Sequence, residues 1–549
     1  MSGEREFADG QKPSGRFIGR NCTAASKAAY FTVAGLVLVV AGFNRFSLPQ
    51  DPLAVPDGYI WPAVSKVSGH AFVHLQGLNF LYPGMIYLIL RTCADFRAIA
   101  IVQHVLGLAA AWLFLVSWSR LAEFFPRPLV SRAAHEAMGL FGVSIYLLSI
   151  APLSFETSIQ SDAVCVFFQM LIFWFTIEFF YHRIVRRNAR PAVMYGIAAA
   201  ISAFLLASIK PSFTLMALLT AGLVVWSVMT MKAGLALKLT FFGVAVPIVL
   251  GLTLTEHHLR RNDPTVKSFL PVTLFAIHAK IIHRQMIGDL ENSQTAAYSR
   301  EWLRSACDEL GRQIERTHEL YPGTFPRLGF QPDYLHYGPD SVLNRWRRDL
   351  GDDRFVTFLR YWYWQSLANR HIEFMTKIIG QLRVFYSFDS PAFKACKKWS
   401  LSSSYARSLS TSSHWRWGQL LSKTPSGSAF LERTQVLASQ NIVVRQNKAI
   451  QLFHVCCART YLLILLISVP LAGWILLKRN GSDAAKWPAL WVVFFYSATF
   501  GNVLGVSVVH SMEVSRYSTV LFISALFAQL WATRWLVETG LATIRKTKS

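Results

Sequence analysis

Apolar runs about as long as a bilayer-crossing helix recur along the chain. They lie near Ala28–Phe43, Ala98–Trp118, Met138–Pro152, Asp162–Tyr181, Val193–Ile209, Ser212–Met231, Leu239–Leu254, Tyr461–Leu477, Pro488–Val509 and Ser518–Thr533. The pattern predicts an all-α polytopic membrane protein with about ten transmembrane helices, in a range of roughly ten to thirteen because several runs are short. Phe72–Leu90 and Phe269–Ile282 are apolar but interrupted, which suits interfacial or re-entrant helices better. Between the seventh and eighth spans lies a segment too long and polar for a simple connection. Its patterning predicts helices over Ser299–Leu320, Asp340–Gly351 and Phe355–Phe385, and a flexible loop over the Ser-rich Ser400–Ser413. There is no internal repeat and no coiled-coil heptad.

Composition agrees. Of 549 residues, 53% are hydrophobic and only 16% charged, against roughly 25% charged in soluble proteins. Such a chain is not disordered, and seven Cys over this length cannot make a dense disulfide scaffold. The 55 Lys and Arg against 31 Asp and Glu leave a net charge of +24. With so much continuous apolar sequence, that excess does not read as nucleic-acid binding. It reads as orientation. With a cytoplasmic N-terminus, the internal cytoplasmic loops hold Arg120, Arg127, Arg132, Arg183, Arg186, Arg187, Arg190, Lys232, Lys238, Lys478, Arg479 and Lys486, and the short outside loops hold only Lys210 and Arg516. Both tails are basic as well. No cleavable signal peptide is apparent, because a mostly polar stretch precedes the first span and no convincing small-residue cleavage site follows it.

The organisation that follows is a cytoplasmic tail (1–27), a transmembrane module (28–254) with a first outside loop (44–97), an extracytoplasmic, mainly helical region (255–459), C-terminal helices (460–535) and a cytoplasmic tail (536–549). From Thr255 to Arg459, bases exceed acids by roughly ten, as suits a surface facing anionic lipids or glycans.

Several ionisable residues gather on the outside. Asp51 and Asp57 stand in the first loop among aromatics and prolines, where a carboxylate could abstract a proton; Asp-Pro and Asp-Gly are also ordinary turn formers. Glu156 and Asp162 sit in an acidic turn without bases. Asp162 could be a ligand, or with Ser161 simply a helix start. Lys210, before Pro211, has no acid in its own short loop, which favours an anionic ligand over a snorkelling role. At helical spacing His510, Glu513, Arg516 and Tyr517 share a side. An arginine beside a tyrosine there can bind phosphate and stack, or Glu513 can merely pair with Arg516. His257, His258, His278, His283, Cys456 and Cys457 match no zinc spacing. Cys307 and Cys396 both lie outside and are candidates to pair. There is no Walker A loop and no dinucleotide fingerprint.

In order along the chain, Asp51 with Asp57-Gly58-Tyr59, Tyr82-Pro83-Gly84-Met85-Ile86-Tyr87, Val102-Gln103-His104, Pro152 through Glu156 to Ser161-Asp162, Lys210-Pro211, and Glu513 with Arg516-Tyr517 together resemble the C-type (GT-C) integral membrane glycosyltransferases. The branch they resemble includes protein O-mannosyltransferases and the lipid A aminoarabinose transferase. The likeness covers residues 28 to about 280 and about 455 to 535. Many relatives carry an acidic pair in the first loop, where this chain has two separate aspartates.

The resemblance implies transfer of a monosaccharide from polyprenyl phosphate to an extracytoplasmic hydroxyl on a glycan, lipid or protein, at the plasma (bacterial inner) membrane. It implies Asp57, with Asp51 second, as the base, and Lys210, Arg516 and Tyr517 around the donor phosphate. Glu156, Asp162, Glu513 and His510 would hold sugar, acceptor or a divalent cation; no other cofactor is implied. Two alternatives stand beside it. One is a polysaccharide polymerase or ligase using undecaprenyl-diphosphate glycans, with Arg345, Arg347 and Arg348 near the diphosphate or merely forming a solvated basic face. The other is a lipid or glycan transporter, which the lack of an internal repeat disfavours.

Overall fold

A computed structural model of the protein describes residues 24–55, 58–72, 79–125, 127–261, 264–292, 298–338, 340–414, 416–478 and 483–547. Among them, eight helices are long and apolar enough to cross a membrane: Ala28–Phe46, Arg97–Phe124, Asp162–Val185, Ala189–Ile209, Pro211–Thr230, Leu235–Arg260, Lys448–Leu477 and Ala485–Val509. The protein is an α-helical, multi-pass membrane protein.

Two of the ten expected spans differ, each for a visible reason. Met138–Pro152 becomes two helices, Arg132–Leu147 and Ile150–Glu156, bent by 56°; counted as one broken span they make nine. The break sits at Leu148 and Ser149, where a backbone amide at Ile150 and the Leu148 carbonyl both turn to the Gln446 side chain. The last run becomes Phe522–Thr547, whose C-terminal half carries Arg534 and Glu538 and so falls below spanning hydropathy. It is nonetheless packed inside the bundle, with Phe522, Leu526, Phe527 and Trp531 buried. Arg534 donates to Glu538 at 2.6 Å and lies 4.5 Å from the Phe125 ring centroid, so its charge is partnered rather than left in apolar surroundings.

Burial ranks the helices. In Asp162–Val185, 72% of the apolar window is buried inside the protein, against 11% in Leu235–Arg260. The first is the bundle's centre. The second exposes Leu235, Leu239, Val246, Leu250 and Leu254, a surface that only lipid would solvate.

The two ends of the bundle differ in chemistry. One carries the basic loops, held by Arg120–Glu178 at 2.6 Å, Arg132–Glu136 at 2.7 Å, and Glu538 accepting from the Leu129 and Val130 amides. The other carries the loop after the first span, the 157–162 turn, Lys210-Pro211 and the 510–517 turn. The long segment between the seventh and eighth spans packs against this second end. Part of it has its own core, including Phe275, Leu303, Leu310, Trp346, Phe358 and Trp362.

Within that segment, Arg300–Leu320 and Val342–Leu350 start behind Ser299 and Ser341, each accepting from the amide three residues on. Phe355–Phe385 divides at Arg370 into Asp352–Asn369 and His371–Phe385. Phe269–Ile282 divides at His278, and Val272, Phe275, Ala276, Ile281 and Ile282 are buried in the second core. Of Phe72–Leu90, residues 73–78 lie outside the described residues, and the rest contributes to helix Leu81–Cys93.

The Ser-rich passage is a helix, Leu401–His414, not a loop. Leu401, Tyr405, Ser408 and Ser412 are buried on one face. Ser404 and Ser412 donate back to the carbonyls four residues earlier, so the hydroxyls are satisfied within the helix. Their small size lets it pack closely on Pro425–Ser439. Cys307 and Cys396 are unpaired, the first buried in the second core and the second donating to Lys398 O at 3.2 Å.

Candidate functional site

The loop after the first span lies alongside the turn that precedes the central helix. Leu53 N donates to Thr157 O at 2.8 Å and Ile159 N to Leu53 O at 2.9 Å, a parallel bridge between Leu53 and Ser158. That pairing brings Tyr59 over the start of helix Asp162–Phe180, where Ser161 Oγ donates to the Tyr59 hydroxyl at 3.1 Å. Ser161 therefore does not cap its own helix. Asp162 turns instead to Lys210, whose Nζ donates to Oδ1 at 2.5 Å.

The sequence offers Lys210 no acid nearby, yet it has one. The partner comes from the neighbouring helix: Asp162 begins one span and Lys210 caps the end of the next, which packs antiparallel to it. Asp162 Oδ2 is buried and has no hydrogen-bond partner among the described residues. An unmatched carboxylate oxygen in a buried setting is costly, and it points to an acceptor position that a bound hydroxyl could fill.

Around this pair stand Tyr59, Tyr82 and Tyr517. Tyr59 and Tyr82 meet edge-to-face at 5.2 Å. Burial first, and then the Asp162 carboxylate, holds both phenols well above their ordinary value, so they are neutral hydrogen-bonding groups. Lys210 Nζ lies 5.0 Å from the Tyr517 ring centroid and the Arg516 guanidinium carbon 5.2 Å from it. The His510 ring centroid is 4.9 Å away. Two cations and an imidazole thus stand close to one phenol ring, with Asp162 against Lys210 and Asp333 3.8 Å from His510.

Comparison with family models, with characterised proteins and with solved structures finds no match to this chain.

The structure separates the remaining candidates. Asp57 lies outside the described residues. Asp51 is buried, with Arg433 donating to Oδ1 at 2.6 Å while also reaching Asp95 at 3.2 Å; Tyr405 donates to the Asp51 carbonyl at 2.7 Å. This aspartate fastens the first loop to helices Leu401–His414 and Pro425–Ser439. Glu513 is engaged by the capping segment: Oε1 accepts from the Arg327 amide at 2.8 Å, and Oε2 from Gln381 at 3.3 Å. Glu156 is taken up by Arg45, which donates at 2.7 and 3.0 Å, and by His104 Nδ1 at 2.9 Å. A divalent cation would compete with those partners at Glu156 and with Lys210 at Asp162. No group of three His, Cys, Asp or Glu that could hold a metal occurs among the described residues. Arg345 pairs with Glu309 and Arg347 with Asp352 on the surface, as in a solvated basic face.

Sequence reasoning did not single out Arg45, His104 or Arg433 as functional. Arg45 had a signal: it is a cation at the last turn of an apolar span, where a buried partner is required. Gln103 ties the same region together, accepting from Tyr82 at 2.7 Å and donating to the Glu156 and Ser158 carbonyls at 2.8 and 2.9 Å. Gly107, one turn along from Gln103, leaves the space into which Glu156 projects; a Cβ there would collide with the carboxylate. Gly107→Ala is expected to displace Glu156 from Arg45 and destabilise the protein by about 1–3 kcal/mol. A thermal melt unchanged from wild type would show that the carboxylate has room to move.

Proposed function

We propose that this protein is a glycosyltransferase that moves a monosaccharide from polyprenyl phosphate to a hydroxyl on an extracytoplasmic glycan, lipid or protein. The observation that carries this reading is the convergence of Lys210, Arg516 and His510 on Tyr517 beside Asp162, at the capped end of a bundle of apolar helices. A lipid-borne phosphate needs an apolar flank for its chain and fixed cations for its head, and this end of the bundle supplies both.

In the reaction the acceptor oxygen attacks the anomeric carbon, its proton passes to a carboxylate, and the sugar–phosphate bond breaks. Negative charge grows on the departing phosphate, and cations held at a low-dielectric boundary stabilise it more than water does. Lys210 and Arg516 take that role, with the Tyr517 hydroxyl donating. Asp162 holds Lys210 in place and offers Oδ2 to a sugar hydroxyl. With Asp51 engaged by Arg433, the base is Asp57. The acceptor face belongs to the capping segment, and the basic loops at the opposite end are cytoplasmic.

Asp57→Asn is expected to lower turnover about 10²–10⁴-fold in purified membranes given a polyprenyl-phosphate sugar. Asp51→Asn and Arg433→Met are expected to lower thermal stability together while leaving the remaining folded protein active. Full turnover in Asp57→Asn would overturn the assignment of the base.

A further inference from the structure

A second group of cations lines a cavity in the capping segment, next to the 510–517 turn. A cavity of about 550 Å³ is lined by Lys280, Arg284, Arg327, Lys377 and Arg383, with Glu373 as its one carboxylate. Glu373 is already committed, accepting from Arg284 and from Arg370 at 2.8 Å each. Arg327 and Arg383 have no acidic partner among the described residues, and their side chains are exposed. Lys280 donates to Gly329 O at 2.9 Å, which leaves further N–H bonds for another acceptor.

Lys377 fixes where this cavity sits. Its Nζ donates to the carbonyls of Ser507, Val508 and His510 at 2.6, 3.4 and 2.9 Å. Those carbonyls end the membrane-crossing helix Ala485–Val509. Burial draws the Lys377 pKa down to about 7, and the negative end of that helix opposes the loss of charge. With all three donors taken, Lys377 contributes charge rather than a contact. The cavity is thus level with the end of a bilayer span.

The same helix, His371–Phe385, carries an apolar stripe. Ile372, Met375 and Ile379 are 70%, 53% and 43% exposed at i, i+3 and i+7, one face of a helix. Beside the end of a span, a face of this kind lies in the membrane interface. Cations on a helix that also presents an interfacial apolar stripe meet phosphates of lipids first.

We infer that the cavity bounded by Lys280, Arg284, Arg327, Lys377 and Arg383 binds the phosphate of an anionic membrane lipid, with Ile372, Met375 and Ile379 resting against its acyl region. The site does not depend on the transferase reading, and its failure would leave that reading untouched.

The test uses the full chain in a non-ionic detergent, titrated with dioctanoyl phosphatidic acid, dioctanoyl phosphatidylcholine and inorganic phosphate. The phosphatidic acid is expected to bind at least tenfold more tightly than either of the others. Lys280→Met/Arg383→Met is expected to weaken it by a factor of about ten or more, while Lys280→Arg/Arg383→Lys, which keeps both charges, is expected to lose less, about threefold. Should the double Met variant fail to fold, Arg383→Met, an exposed change, reads the same quantity with a smaller expected loss of about threefold to tenfold. Equal binding of both lipids, equal binding of inorganic phosphate, or unchanged affinity in the Met variants would each overturn the inference.

Discussion

Lys210→Met is expected to reduce sugar transfer about 10²–10³-fold, the scale on which a single charge-stabilising group acts in a transition state. The difficulty is that Lys210 also neutralises Asp162. Removing the lysine alone leaves a buried carboxylate uncompensated, which destabilises by about 3–5 kcal/mol, and a loss of activity could then be a loss of folded protein. Lys210→Met/Asp162→Asn separates the two. It removes both charges, keeps the hydrogen-bonding shape at position 162, and is expected to melt close to wild type. If it melts like wild type and still transfers poorly, while Asp162→Asn alone retains transfer, the lysine acts on the donor. If it melts like wild type and transfers sugar at the wild-type rate, Lys210 is a structural cation and the phosphate role fails. Arg516→Met is a milder companion, because Arg516 is only partly buried, and its effect should appear mainly in the apparent affinity for donor.

The fold was largely legible because its main signal is local. A run of apolar residues long enough to span a bilayer announces itself without reference to the rest of the chain, and eight of the ten expected runs are helices of that kind. The two exceptions have different causes: the break at Leu148 and Ile150 meets the distant Gln446, whereas the last helix falls below spanning hydropathy through its own Arg534 and Glu538. The loop expected over Ser400–Ser413 is a helix because distant packing outweighs local preference. Serine has weak local preference for helix, and burial of Leu401 and Tyr405 against other helices overrides it.

At the site, residue type and loop membership pointed to Asp162, Lys210, Arg516, Tyr517 and His510, which the structure brings together. They could not show that Lys210 and Asp162 face each other, since that contact crosses from one helix to another. Nor could they distinguish Asp51 and Glu156, each consumed by an arginine far away in sequence, from acids free to react. Arg433 lies in the stretch where the chain resembles nothing, and its partnership with Asp51 had no sequence signal at all.

Arg45→Met is expected to destabilise the bundle by about 3–5 kcal/mol, the same scale as Lys210→Met. Arg45 is buried, and besides Glu156 it donates to the Ala41 and Leu147 carbonyls at 3.3 and 3.0 Å. It therefore ties the end of the first span to the bend between helices Arg132–Leu147 and Ile150–Glu156, the bend that delivers the 157–162 turn to Tyr59 and Lys210. Without it, Glu156 keeps only His104, whose Nε2 already has no partner among the described residues. Arg45→Met/Glu156→Leu removes the charges together, and buried pairs replaced by apolar residues of similar volume are often neutral or stabilising by about 1–4 kcal/mol. The double variant should therefore recover most of the thermal stability that Arg45→Met loses, measured on detergent-purified protein. Its transfer activity then decides what Glu156 does. Recovery of both stability and turnover makes Glu156 a scaffold acid that sets the position of Asp162 through the turn between them. Recovery of stability with turnover still lost means that the Glu156 carboxylate itself contacts sugar or acceptor, as the resemblance implies.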